Sequence, residues 1–153
     1  MQELISQLRQ LIEQEASAFG LFYIGHEMTE EGAIALLVDS EEVLNMKVLI
    51  DFTRHISTLI DEGNFGEEPF TFEISSPGAD QPLTDLRQFN KHVGRDFQIQ
   101  TASESFQGEL LRREGDTLHF LAQFPDKGRK VRTEPRLLPY STILNATIVL
   151  KFK

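Results

Sequence analysis

Cysteine is absent from the 153 residues, which removes disulfides, thiolate catalysis and cysteine-held zinc together. No stretch approaches the roughly 20 consecutive apolar residues needed to cross a bilayer. The opening Met1-Gln2-Glu3-Leu4-Ile5 lacks the basic region and small-residue cleavage site of a secretory signal. These absences lead to the expectation of a cytoplasmic protein that does not engage a membrane. Positive charge is also scarce, but in one half only. Residues 1–84 carry three basic residues (Arg9, Lys47, Arg54) against sixteen acidic ones, a net of −13, whereas residues 85–153 carry twelve against eight, a net of +4. The overall charge of −9 therefore averages two unlike surfaces: one that repels a polyanion or attracts a basic protein, and one that can approach phosphate.

Signatures of common chemistry are missing as well. No G-x-S-x-G elbow surrounds Ser75 or Ser76, and no glycine-rich loop leads into Lys-Ser/Thr. His26, His55, His92 and His119 fall at no ligand spacing, and the acidic loops do not space their carboxylates like a calcium or magnesium site. Ser76 with Asp80 and a distant histidine lacks an orienting group and an oxyanion donor pair. No catalytic residue, metal, cofactor or small-molecule substrate is expected.

What is present is periodicity of two kinds. Leu4, Ile5, Leu8, Leu11 and Ile12 recur at helical spacing, with Gly20 as a stop. Strand-like runs at 21–28 and 33–39, joined by Thr29-Glu30-Glu31-Gly32, predict an antiparallel hairpin. Val48, Leu49, Phe52, Ile56, Leu59 and Ile60 predict a second helix on one face of that sheet. Phe70, Phe72 and Ile74 alternate as a strand, completing an α-β-β-α-β half. After a short helical piece at 85–91, five strands follow, at 95–101, 106–113, 117–123, 130–133 and 145–152. Turns at Gly94, Gly108, Gly115 and Gly128 separate them, and Pro139-Tyr140-Ser141-Thr142 reads as a 3₁₀ link. Five short strands in so few residues predict a closed or nearly closed barrel. The expected fold class is α+β: an N-terminal α/β sandwich domain at 1–83 and a small all-β barrel at 84–153.

Between the halves lies Glu73-Ile74-Ser75-Ser76-Pro77-Gly78-Ala79-Asp80-Gln81-Pro82-Leu83. Ser76-Pro77-Gly78-Ala79 fits a type II turn with positive φ at Gly78, and Pro82 stiffens the exit. Ser75, Ser76, Pro77, Gly78, Asp80 and Pro82 thus form a rigid interdomain joint, with surface contact by Ser75, Ser76 and Asp80 as the other reading.

Two charged clusters stand out. Lys127, Arg129, Lys130, Arg132 and Arg136 fall within ten positions at a predicted hairpin, either a rim for phosphate contacts or a solvated basic turn. Arg112 and Arg113 could extend it, though adjacent strand residues point to opposite faces. Phe120 and Phe124 could stack on bases, or belong to the core. Glu27, Glu30, Glu31, Glu41, Glu42, Glu67 and Glu68 make an acidic surface that is either merely solvated or a docking face for a basic protein.

The central eleven residues resemble the E-V-S-S-P-G-x-D-R-P-L signature of the RimP family of ribosome maturation factors, with Ile74 for Val and Gln81 for Arg. Phe106-Gln107-Gly108-Glu109-Leu110 is similar to that family's F-x-G-x-L strand, and Leu138-Pro139-Tyr140-Ser141-Thr142-Ile143 to its I-P-x-x-x-I turn. The second helix departs from the family's D-C-x-x-x-S-R pattern, keeping Arg54 with Thr53 for Ser. The resemblance implies an SH3-like (Sm-like) C-terminal barrel and a non-catalytic factor in late assembly of the small (30S) ribosomal subunit; a monomer is expected. The implied partners are rRNA and a basic small-subunit ribosomal protein. A generic Sm-like protein acting on free RNA is the alternative. Gln81 cannot reproduce the planar fork of the family's Arg.

Overall fold

The computed structural model describes residues 2–63, 65, 69–125 and 131–150. The chain divides into two compact units, Met1–Pro77 and Gly78–Lys153. The architecture is α+β.

In the first unit, α1 (Gln2–Ala16) tightens into a 3₁₀ turn (Ser17–Phe19) and stops at Gly20, whose φ of 72° is the left-handed position the sequence reserved for glycine. Strand β1 (Phe22–Met28) pairs antiparallel with β2 (Ile34–Asp39), and β3 (Phe72–Ser75) pairs parallel on the other side of β2. The crossover is α2 (Met46–Glu62), capped by Asn45, whose side chain accepts from Lys47 N at 2.8 Å. The predicted periodicities place Leu8 and Ile12 of α1 and Leu49, Phe52 and Ile56 of α2 over Ile34, Leu36, Val38 and Ile74 of the sheet. Phe19 meets the Phe52 ring edge-on at 5.1 Å. Each such side chain, fully withdrawn from water, contributes about 1.5–3 kcal/mol, so both helices are held by one face alone.

In the second unit, a 3₁₀ helix (Leu86–His92) precedes β4 (Asp96–Thr101), β5 (Ser105–Glu114), β6 (Thr117–Pro125) and β7 (Val131–Pro139). A second 3₁₀ turn (Tyr140–Thr142) leads into β8 (Ile143–Ile148). The antiparallel order is β7-β6-β5-β4-β8. The expected barrel is not closed: β7 and β8 are both edges, with no ladder between them among the described residues. Because only Tyr140–Thr142 connect them, the two edges must approach at one corner. The sheet therefore wraps its core without completing the hydrogen-bonded circuit. Phe89 from the first 3₁₀ helix enters that core, stacked on Phe97 at 5.5 Å and edge-on to Tyr140 at 5.8 Å.

Three further expectations are corrected. The short strand expected at 130–133 runs as Val131–Pro139; Pro135 is tolerated because β7 is an edge, where one missing N–H breaks no outer ladder. The type II turn at Pro77-Gly78 is absent, since Gly78 does not have positive φ. The chain instead turns over Gly78–Gln81, with Gln81 N donating to Gly78 O at 3.0 Å. Gly108 likewise has ordinary φ. A Cβ there would lie 2.9 Å from Leu121 O and 3.0 Å from Ala122 Cα, so glycine is required for close backbone approach to β6 rather than for a turn.

Candidate nucleic-acid interface

The β6–β7 register pairs Phe120 with Arg136, Ala122 with Glu134 and Phe124 with Arg132. On a strand of period two these three charged residues share the face that carries the core aromatics. Lying on the edge strand, they border the core instead of entering it. The Arg132 and Arg136 Cζ atoms sit 5.3 and 5.4 Å from the Phe124 ring centroid, within cation–π range. Phe124 in turn leans on Phe106 at 6.4 Å. The tip of this hairpin, with Lys127, Arg129 and Lys130, lies outside the described residues.

The arginines differ in what they do. Arg136 donates from Nε to Glu104 Oε1 at 2.8 Å and from Nη1 to the Pro135 carbonyl at 3.1 Å. Its Nη2 lies 3.5 Å from Glu104 Oε2 and 3.8 Å from Glu134 Oε2. The Glu104 hydrogen bond holds the Arg136 guanidinium above its ordinary pKa. Its side chain is only 28% exposed, whereas that of Arg132 is 61% exposed and touches Glu134 at 3.4 Å. Two cations thus face two carboxylates, and the described part of the cluster is locally neutral. The sequence between β6 and β7, outside the described residues, adds Lys127, Arg129 and Lys130 against Asp126. Phe124 as a platform for both arginines, and Glu104 as a partner 32 positions away, carry no local sequence signal.

Arg112 and Arg113 stand elsewhere. They pair opposite His119 and Leu118, five or six residues along β6 from Phe124, about 17–20 Å. Arg112 donates to Glu114 Oε1 at 2.7 Å, and Arg113 to the Gly115 carbonyl at 2.7 Å and to Asn90 Oδ1 at 3.2 Å. The Arg112 bond, with the neighbouring His119, holds the Glu114 carboxyl below its usual range. His55 reaches from α2 to Glu15 of α1 at 2.6 Å.

The central motif bridges the boundary between the units. Ser75 ends β3 opposite Leu37, half-buried, while Ser76, Gly78, Asp80, Gln81 and Pro82 are exposed. Leu83 N donates to Ala146 O of β8 at 2.8 Å, committing the exit of the motif to the second unit. The acidic residues separate into groups: Glu27, Glu30 and Glu31 surround the β1–β2 turn, while Glu41 and Glu42 follow the other end of β2, about 20 Å away along the strand. Glu67 and Glu68 lie outside the described residues. Among the described residues, no group of three or more His, Asp or Glu could hold a metal ion, and no helix is long and apolar enough to cross a membrane.

A helix-covered three-stranded sheet followed by an antiparallel five-stranded sheet defines a two-unit α+β protein. Residues 11–80, from mid-α1 through most of the motif, match the RimP N-terminal domain. The chain is 27% identical over 157 residues to the ribosome maturation factor RimP of Christiangramia forsetii, covering 99% of each chain. It is 24% identical over 151 residues to the ribosome maturation factor RimP of Flavobacterium psychrophilum, covering 95% of this chain and 96% of that one. These matches support placing the chain with the RimP family.

Proposed function

We propose that this protein is a ribosome maturation factor that assists late assembly of the small (30S) ribosomal subunit in the cytoplasm, by binding and without catalysis. The observation that carries this reading is the division of charge between the two units. Met1–Pro77 holds three basic and fifteen acidic residues, a net of −12, and Gly78–Lys153 holds twelve and nine, a net of +3. The second unit, read as an SH3-like (Sm-like) module, meets rRNA through Lys127, Arg129, Lys130 and Arg132, with Arg136 holding the edge of the sheet in place. The first unit meets a basic small-subunit ribosomal protein. Contacts that are weak singly become firm when one monomer makes both, linked through Ser75–Pro82, because the second association is intramolecular. The names and near full-length match of the two relatives support the coarser part of this reading, a role in ribosome maturation.

The test is gradient sedimentation at low salt with immature small subunits, mature small subunits and naked RNA. Cosedimentation that favours the immature particle is expected. Protein that stays at the top with both particles would overturn the reading. Tight binding to naked RNA alone would favour an Sm-like protein acting on free RNA.

A further inference from the structure

Strands β2 and β3 run parallel, so their carboxyl ends emerge together beside the start of α2. In α/β sheets this edge is where partners tend to bind. Here it carries three apolar side chains that the core does not use: Val43 is 84% exposed, Met46 62% and Ile50 48%. Met46 and Ile50 stand one turn apart on α2 and face the same way. Val43 lies two residues before the Asn45 cap. Leu44, between them, packs against the first core, so the loop is pinned while Val43 is turned outward.

The loop is also fixed by polar contacts. Ser40 N donates to Asp39 Oδ1 at 2.8 Å, and Ser40 Oγ donates to the Glu42 carbonyl at 2.5 Å. Single exposed apolar residues are ordinary on any surface. Three within eight positions, on pinned backbone beside exposed Ser76, form a preformed patch that loses little freedom on binding. Exposed Glu41, Glu42 and Asp51 border it, with Lys47 and, one turn beyond Ile50, Arg54 as the cations on the same helix.

We propose that Val43, Met46 and Ile50, rimmed by Glu41, Glu42 and Asp51, dock a basic polypeptide segment that places an apolar side chain among them. The proposal rests on the two-contact reading above and locates its protein contact. Charge complementarity selects the occupant. RNA would be repelled by a unit of net −12, and a second copy using the same patch would set these glutamates against their own equivalents.

The full chain carrying Val43→p-benzoylphenylalanine is irradiated with purified small subunits and, separately, with total protein stripped from those subunits. The crosslinked product is then challenged with protease and ribonuclease. A protease-sensitive adduct to a basic subunit protein is expected in both arms. Met46→Ser with Ile50→Ser, on exposed positions and checked for unchanged melting temperature, should weaken subunit binding by about tenfold while leaving binding to a single-stranded RNA oligonucleotide unchanged. Glu41→Gln with Glu42→Gln should slow association and flatten its salt dependence. An adduct to RNA or to a second copy, no adduct to the stripped proteins, or undiminished subunit binding by the Ser variant would overturn the proposal. Failure of the unaltered chain to cosediment with subunits would instead remove the ribosomal reading, and the stripped-protein arm would still decide the docking surface.

Discussion

Arg136 on β7 donates to Glu104, in the turn before β5, at 2.8 Å across 32 positions of sequence. The pair ties an edge strand to the β4–β5 turn of its own sheet and keeps the Arg136 guanidinium against Phe124. Its consequence is a division of labour within the basic cluster. Glu104→Gln is expected to lower the melting temperature by a few degrees at most, because ion pairs this close to water contribute modestly. The same change should strengthen binding to single-stranded RNA, since one guanidinium loses its carboxylate. Differential scanning fluorimetry and a salt series of fluorescence anisotropy measure the two effects. A variant that binds RNA no better than the wild type would mean that Arg136 does not face the ligand.

The sequence between β6 and β7 holds Lys127, Arg129 and Lys130, the residues proposed to contact RNA. Lys127→Glu, Arg129→Glu and Lys130→Glu together should weaken RNA binding whatever the base sequence. They should also flatten the slope of log affinity against log salt by about 0.7 for each single-strand phosphate that is no longer neutralised, roughly 2 in all. An unchanged slope would place the RNA-binding surface elsewhere on the second unit.

Gly108 tests the packing of β5 on β6. Gly108→Ala brings a methyl carbon against Leu121 O and Ala122 Cα at 3.0 Å or less, and both are backbone atoms that move only with their strand. A loss of about 1–3 kcal/mol is expected, measured by urea denaturation. Because the residue has ordinary φ, the cost comes from space and not from torsion.

Asp85 makes the second unit sensitive to acid. Burial raises its pKa, but hydrogen bonds from the Arg87 side chain and from Arg87 N outweigh burial and leave the carboxyl below its usual range. The folded value being depressed, its stabilisation is complete above the unfolded value of about 3.9 and drains away as pH falls through the folded value. Asp85→Asn should therefore be less stable than the wild type at neutral pH, with the difference shrinking to nothing in strong acid. Chemical denaturation at a series of pH values tests this, and a difference independent of pH would show that capping geometry alone matters.

Much of this molecule is legible in the chain alone. Leu8, Ile12, Phe52 and Ile56 announce their helices because a buried stripe must repeat every three or four residues. Phe97 and Ile99, or Leu118, Phe120 and Ala122, announce strands because one face must be apolar. The candidate site is legible only in part. Arg132 and Arg136 are visible as cations, but their carboxylate partners and their shared aromatic support depend on cross-strand register. The patch at Val43, Met46 and Ile50 is legible only as three apolar residues off the buried stripe of the second helix; their exposure on a pinned loop and helix start depends on the tertiary packing.

The sequence by itself determined the order of elements, the two cores, the exclusion of thiol chemistry and the opposite charge of the halves, since composition and near-neighbour spacing suffice for these. Tertiary structure decided that the five-stranded sheet stays open, that Gly108 is needed for space, that Arg136 answers to Glu104, and that Ser76 emerges at the same sheet edge as Val43. Each of these depends on which residues distant in sequence become neighbours, and chain pairing, not local pattern, sets that.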